Sequence, residues 1–354
     1  MQLEKIKSIF DSCKKLEKII VMDNSYEGDE TYVQNLNGFL VVNNEFIQSE
    51  GIVFKDMIYK SQAEDLVTLI YTSGTTGTPK GVMLSNKNLL SNIYGVSRVQ
   101  KDIENETFLS FLPLSHVLER MAGHFFALST NSKIYYAENM DTVGNNMIEI
   151  SPSVVICVPR FFEKMYNKII SGLNQSSKNK KKLFNWSLKI GKDYTNIIHA
   201  KQNVSISLSI KYKLADLLIY SKVRKKLGGN IKFFISGGAP LSSAIAEFFA
   251  GIGITILEGY GLTETSPVLT SNTPLDIRFG TVGKKLDNVK FLGREKREFI
   301  PAIMRQSDIL VTNYISDEHL NLYIPGKLFE YAISRKPIVI GSRGDSRKFI
   351  EKYD

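Results

Sequence analysis

Cysteine is scarce in this sequence, with Cys13 and Cys157 the only two among 354 residues. Two thiols so placed make neither a disulfide framework nor a metal-ligand spacing, which points to a reducing compartment. No uncharged apolar stretch is long enough to span a bilayer. A secretory leader is not expected, because Met1-Gln-Leu-Glu-Lys-Ile-Lys carries charges where a leader is apolar. The chain is therefore expected to be cytoplasmic. Its net charge of +9 comes with nothing resembling a nucleic-acid module, so nucleic acid is not an expected partner. The cluster Lys178, Lys180, Lys181 and Lys182 reads as a solvated loop, with weak peripheral contact with an anionic membrane as the lesser alternative. A hydrophobic content of 43% is ordinary for a globular chain, and the length suffices for two domains.

Against these absences stands Tyr71-Thr-Ser-Gly-Thr-Thr-Gly-Thr-Pro-Lys-Gly81. The hydroxyls of Thr72, Ser73, Thr75, Thr76 and Thr78 alternate with Gly74 and Gly77, which can turn backbone N–H groups toward a ligand. Successive N–H groups form an anion nest, and Lys80 adds a full positive charge. A polyphosphate suits such a loop, although no Gly-Lys-Ser/Thr of the Walker type is present. Composition alone would also allow a flexible linker. The context favours phosphate binding: a β-rich run, Leu66 to Tyr71, precedes the loop, and Leu84 to Leu90 can start a helix after it.

Three further motifs follow. Phe111-Leu-Pro-Leu-Ser-His-Val-Leu-Glu-Arg120 places His116 after Pro113. Ile235-Ser-Gly-Gly-Ala-Pro240 ends an apolar run, and its Gly237 and Gly238 would let a flat ring lie against the backbone where a Cβ would collide. Glu258-Gly-Tyr-Gly-Leu-Thr-Glu-Thr265 offers an aromatic face at Tyr260, a close turn at Gly261, a hydroxyl at Thr263 and a hard oxygen ligand at Glu264. Each has a plainer reading taken singly: a structural histidine, a strand-to-turn junction, a surface turn. Val154 to Met165 reads as a buried strand turning at Pro159 into an amphipathic helix, and Trp186 as a packing residue.

In order and spacing these motifs resemble the AMP-forming adenylating enzymes, and within them the long-chain acyl-CoA synthetases, over roughly residues 5–287. The resemblance implies ATP, Mg²⁺ and coenzyme A as co-substrates and cofactor, and a long-chain fatty acid as the acid activated. It implies that Thr72 to Gly77 and Lys80 hold the β- and γ-phosphates, and that His116 lines the acyl and carboxylate pocket. Gly237, Gly238, Ala239 and Pro240 would face the adenine with Tyr260 and Gly261. Thr263 would orient the reacting groups, and Glu264 would carry the metal. The carboxylate would attack the α-phosphorus of ATP, and a thiol would then displace AMP; positioning and charge neutralisation dominate such chemistry.

The resemblance stops after Gly280-Thr-Val-Gly-Lys-Lys-Leu-Asp287: neither a Thr-Gly-Asp motif nor a lid domain with its lysine follows. Little or no ligase turnover is therefore expected, with the phosphate loop in roughly native geometry. From Asn288 the pattern alternates strand and helix as βαβαβ. This tail resembles the nucleotide-sugar half of a glycosyltransferase with two Rossmann-like domains, which makes Glu330 the residue matching that family's ribose or sugar contact. The expected fold is α/β throughout: a partial adenylate-forming large domain of mixed sheets with flanking helices (1–287), then a partial Rossmann-like unit (288–354). A joint inside both domains, without a Pro/Gly/Ser linker, is what a recombined, mis-assembled or decayed gene would leave. Glycosyl transfer and a non-catalytic nucleotide-binding remnant are the alternatives to the ligase.

Overall fold

The computed structural model describes residues 2–23, 25–28, 30–39, 59–72, 79–290, 292, 295–312, 326–340 and 345. Internal packing divides the chain into two units, 1–62 and 63–354. The tail after 287 thus falls in the same unit as the motifs.

In the first unit, helix α1 (Gln2–Lys7) and strands β1 (Ile19–Val21) and β2 (Val33–Asn35), which pair in parallel, precede the short helix α2 (Leu36–Phe39). Phe10 stacks on Tyr32 at 4.1 Å, and Lys7 donates to Glu30 at 2.5 Å.

The second unit opens with an antiparallel hairpin, β3 (Leu66–Thr72) and β4 (Lys80–Ser85), and helix α3 (Asn86–Val99) follows. The reading of a strand, loop and helix in direct succession is corrected here. Lys80 begins a strand that pairs antiparallel with β3, because Val82 and Leu84 alternate inward opposite Ile70 and Thr68. The helix starts only at Ser85, whose side chain accepts from the Asn88 N–H while Asn88 Oδ1 accepts from the Ser85 N–H at 2.9 Å.

The central sheet has seven strands in the order β11-β10-β9-β8-β7-β5-β6. Its parallel strands are β5 (Thr107–Ser110), β6 (Lys133–Tyr136), β7 (Val154–Cys157), β8 (Phe233–Ser236) and β9 (Ile256–Gly261). Strands β10 (Val268–Ser271) and β11 (Lys284–Lys285) extend it antiparallel. Val154 to Cys157 are at most 1% exposed, as a central parallel strand covered on both faces requires. Successive residues serve opposite faces: Phe108, Val154 and Ile156 join one core cluster, and Leu109, Val155 and Cys157 the other.

On the first face lie α3 and a helix whose π-helical start, Glu119–Phe125, continues into α4 (Phe126–Ser129). On the second lie α5 (Val143–Ile150), α6 (Pro159–Asn174), α7 (Lys178–His199), α8 (Ile206–Ala215), α9 (Ser221–Lys225) and α10 (Ser243–Gly251). Pro159 stands at the start of α6, where its fixed φ suits the first turn, so the expected strand-then-helix is present. Trp186 packs against the second cluster. The lysine cluster is not a loop: Lys178 to Lys182 form the first turns of α7. Phe184, Ser187, Ile190 and Gly191 supply the buried stripe that carries this helix through its lysine-rich start.

In the tail, α11 (Ile300–Gln306), β12 (Leu310–Thr312), α12 (Gly326–Ser334) and β13 (Ile338–Ile340) alternate, with β12 and β13 parallel. The first strand of the expected βαβαβ is not formed over Asn288 to Lys290. Val289 donates there to the Leu286 carbonyl at 3.0 Å in a turn and packs on the main core. The α/β class with mixed sheets and flanking helices holds. No helix among the described residues is long and apolar enough to cross a membrane.

Candidate active site

A cavity of about 330 Å³ opens at the carboxyl ends of β8 and β9. Thr72 and Lys80 reach it from the hairpin, His116 from the loop after β5, Gly237 and Gly238 from the end of β8, and Tyr260, Gly261, Thr263 and Glu264 from the end of β9. Segments far apart in sequence thus line one cavity. Ser73, Gly74, Thr75, Thr76 and Gly77 lie outside the described residues. Ala239 and Pro240 are exposed and do not line the cavity. Glu330, on α12, pairs with Arg297 at 3.7 Å and does not line it either. The tail contributes Ile338 of β13 instead.

The hairpin is held at its mouth by the Thr72 hydroxyl, which donates to the Lys80 carbonyl at 3.5 Å, and β4 packs beside the turn Thr263–Thr265. Within that turn the Leu262 N–H donates to Thr265 Oγ1 at 3.0 Å, which fixes the backbone that carries Thr263 and Glu264. Gly261 is required: a Cβ there would lie 2.0 Å from the Pro267 carbonyl oxygen, where β10 turns back along β9. A Cβ on Gly237 would lie 3.1 Å from Leu118, so this glycine lets the strand end approach the histidine loop. Gly238 has a φ of +79°, open to glycine and costly for other residues.

The histidine loop is clamped from both sides. Arg120 Nε donates to the Leu114 carbonyl at 2.7 Å, and the Leu118 N–H donates to His116 Nδ1 at 3.2 Å. Nδ1 is thereby the acceptor, and in the neutral ring Nε2 carries the hydrogen as a donor at the cavity wall.

Two supports escape a reading by motif. Asn92 of α3 donates to the Val268 carbonyl at 2.8 Å and accepts from the Val268 N–H at 3.1 Å. Gln100 Nε2 donates to Ser271 Oγ at 3.0 Å and to the Asn272 carbonyl at 2.7 Å. Together they pin the helix after the hairpin to the strand after the Thr-Glu turn. The available signal was a polar residue on a buried stripe, since Asn92 stands between Leu89 and Val96 at helical spacing.

Glu119 is the other unforeseen group. It is fully buried, and neither carboxyl oxygen has a hydrogen-bond partner among the described residues. Burial pushes its carboxyl up to about 7; the Ser110 hydroxyl, close by but outside hydrogen-bond geometry, opposes this in part. Buried Cys157 nearby is also pushed up, by burial first and then by the charge of Glu119.

The cavity has features that fit a nucleotide. Ser236 and Gln100 line it, and Ser236 Oγ and Gln100 Oε1 are buried without partners among the described residues, spare polar capacity beside the cavity. Among the described residues no three His, Cys, Asp or Glu side chains converge as a metal site. Glu264 would be a single protein donor, in keeping with magnesium held largely by phosphates and water.

The chain is 36% identical over 225 residues to the long-chain-fatty-acid–CoA ligase FadD15 of Mycobacterium bovis, covering 63% of this chain and 37% of that protein. It is 31% identical over 327 residues to the human long-chain-fatty-acid–CoA ligase ACSBG2, covering 90% of this chain and 48% of that one. The crystal structure of ATP-bound MatB from Rhodopseudomonas palustris matches with 26% identity and a TM-score of 0.42, over 64% of this chain and 35% of the other. The chain thus spans less than half the length of these relatives. The model of the AMP-binding enzyme family matches residues 2–300, most of the chain, and the protein belongs to that family.

Proposed function

We propose that the chain binds ATP and a carboxylic acid in the cavity at the ends of β8 and β9 and joins them as an acyl-adenylate. A long-chain fatty acid is the substrate class, by likeness to FadD15 and ACSBG2, and coenzyme A is the thiol that then accepts the acyl group. The observation that carries this reading is the convergence of Thr72, Lys80, His116, Gly237, Tyr260, Thr263 and Glu264 on one cavity.

Lys80 and Thr72 would hold the distal phosphates. Tyr260 offers its ring face to the base, beside Gly237 and Gly238. Thr263 would donate to the α-phosphate or the acid, and His116 Nε2–H would donate to the carboxylate. Glu264 would hold Mg²⁺, which when bound neutralises charge that builds on phosphate oxygens. The buried apolar residues of the lining, Val96, Met121 and Phe126, would help keep water from the activated acid.

Palmitate-dependent exchange of pyrophosphate into ATP tests the reading. Exchange above the acid-free background but far below that of a full-length relative is expected, since the Thr-Gly-Asp motif and lid lysine are missing. Lys80→Ala should lower it further by about 10²-fold, the effect of removing one preorganised electrostatic group. Exchange that is absent, or that Lys80→Ala leaves unchanged, would remove the assignment. For residues 288–354 we propose the Rossmann-like remnant, supported by the parallel pair β12 and β13. Glu330, as its sugar or ribose contact, would require nucleotide-sugar binding that Glu330→Gln abolishes.

A further inference from the structure

The two edges of the central sheet differ in how they are guarded. Strand β11, at one end, is Lys284 and Lys285 alone, so like charges would face any second copy. Strand β6, Lys133-Ile-Tyr-Tyr136, stands at the other end and pairs with β5 only. The Lys133 N–H donates to the Glu106 carbonyl and the Ala137 N–H to the Ser110 carbonyl, both at 2.8 Å. Residues 133, 135 and 137 therefore turn their backbone groups toward β5, and Ile134 and Tyr136 turn theirs outward. Among the described residues no loop or further strand supplies partners for these outward groups.

The side chains along this edge are aromatic and exposed, Tyr135 by 41% and Tyr136 by 55%. Tyr136 is held in place by His124, whose Nδ1 lies 2.7 Å from the phenol oxygen. Edge strands are ordinarily blunted by proline, a bulge or charge. Strand β6 has no proline, keeps an unbroken register with β5, and carries one charge, Lys133.

A second copy of β6, run antiparallel about a twofold axis, fits this edge. Outward residues must face each other to exchange N–H···O bonds, which puts the axis on a residue rather than between two. Only an axis at Tyr135 pairs both outward residues of the strand with each other, Ile134 of each copy facing Tyr136 of the other. On the opposite face the two Tyr135 rings meet, and Lys133 lies diagonal to the Tyr135 ring across the axis. Aromatic–aromatic and aromatic–β-branched pairs are favourable cross-strand neighbours. Lys133 itself stands opposite Ala137, and the two copies of Lys133 lie four residues apart, ~13 Å, farther than charges act through physiological salt.

We propose that the free edge of β6 is a self-association surface, through which two copies of this chain join their central sheets about a twofold axis at Tyr135. The parallel strands of the two copies then run in opposite directions, so their nucleotide cavities open on opposite sides of the joined sheet. The surface does not depend on the activity proposed for those cavities.

Sedimentation equilibrium of the full chain tests this. A dimer with a Kd on the order of 10 µM is expected, weak because the paired area is small. Tyr135→Lys sets like charges directly opposite and should weaken the dimer at least tenfold, with an unchanged melting curve. Leu69→Thr/Met83→Lys, on the exposed hairpin face, should leave it unchanged. Cross-linking reads the register. In a Cys13→Ser background, with Cys157 buried, Tyr135→Cys places two thiols where antiparallel Cα atoms stand ~4.5 Å apart, within disulfide reach. Mild oxidation should join the two copies there, whereas Lys133→Cys in the same background should stay unlinked. A chain still monomeric at tenfold above the expected Kd overturns the proposal. So does a folded Tyr135→Lys variant that dimerises like the wild type, or a dimer lost in the hairpin variant. Tyr135→Cys cross-linking no faster than Lys133→Cys overturns it as well.

Discussion

Glu119 couples the stability of the fold to pH. Its carboxyl ionises near 4.5 in an unfolded chain and only at about 7 in the folded one. The unfolded state therefore sheds its proton first, and stability falls as pH rises through this window and levels off above it. The shift corresponds to about 3 kcal/mol. Glu119→Gln should remove most of the pH dependence: urea unfolding at pH 5 and pH 8 should show a loss for the wild type that is much smaller in the variant, the rest coming from Glu258, whose carboxyl burial also raises. Equal losses in both would mean that Glu119 is not the group that titrates. Gly123 makes room for this side chain, since a Cβ there would sit 2.3 Å from Glu119 Oε1. At this scale the sequence makes some residues legible and hides others. Gly261 and His116 stand in motifs whose residue types declare a close turn or a donor. Glu119, Asn92 and Ser236 do not, because only the environment that surrounds them makes a buried polar atom unusual.

The element that sets the site geometry is α3, tied to β10 through Asn92. Asn92→Leu would leave both the N–H and the carbonyl of Val268 without their partners, at about 1–3 kcal/mol for each orphaned group. The urea midpoint should fall accordingly. ATP affinity should fall several-fold as well, because Thr263 and Glu264 stand on the turn that leads into β10. A loss of stability with unchanged ATP affinity would separate the clamp from the site. The hairpin ahead of α3 has an inward face of Thr68, Ile70, Val82 and Leu84, but its outer face leaves Leu69 45%, Tyr71 68% and Met83 67% exposed. Leu69 and Met83 are direct cross-strand neighbours, so the apolar surface is contiguous. Leu69→Thr/Met83→Lys should lower light scattering at high protein concentration without moving the melting temperature; unchanged scattering would place the sticky surface elsewhere. Strands such as β7 and the Pro159 start of α6 were legible from local pattern. Strand β4 was not: Lys80 to Ser85 is short, and its alternation shows only once Ile70 and Thr68 stand opposite.

At the scale of the molecule, strand order is what no local period encodes. The apolar runs of β5, β7 and β8 announce buried strands, yet nothing in them says that β7 inserts between β5 and β8 while β6 goes to the edge. That order sets the cavity where the ends of β8 and β9 meet the histidine loop, and it leaves β6 paired on one side only. It also fixes which unit of the chain carries the chemistry. Every residue that lines that cavity lies between Thr72 and Ile338, inside the unit 63–354. A fragment of residues 63–354 should therefore fold and bind ATP within about threefold of the full chain, seen as an equal rise in melting temperature at saturating nucleotide. A fragment that unfolds cooperatively but gains nothing from ATP would show that residues 1–62 complete the nucleotide site. The division of labour between the two units would then have to be redrawn around the amino-terminal one.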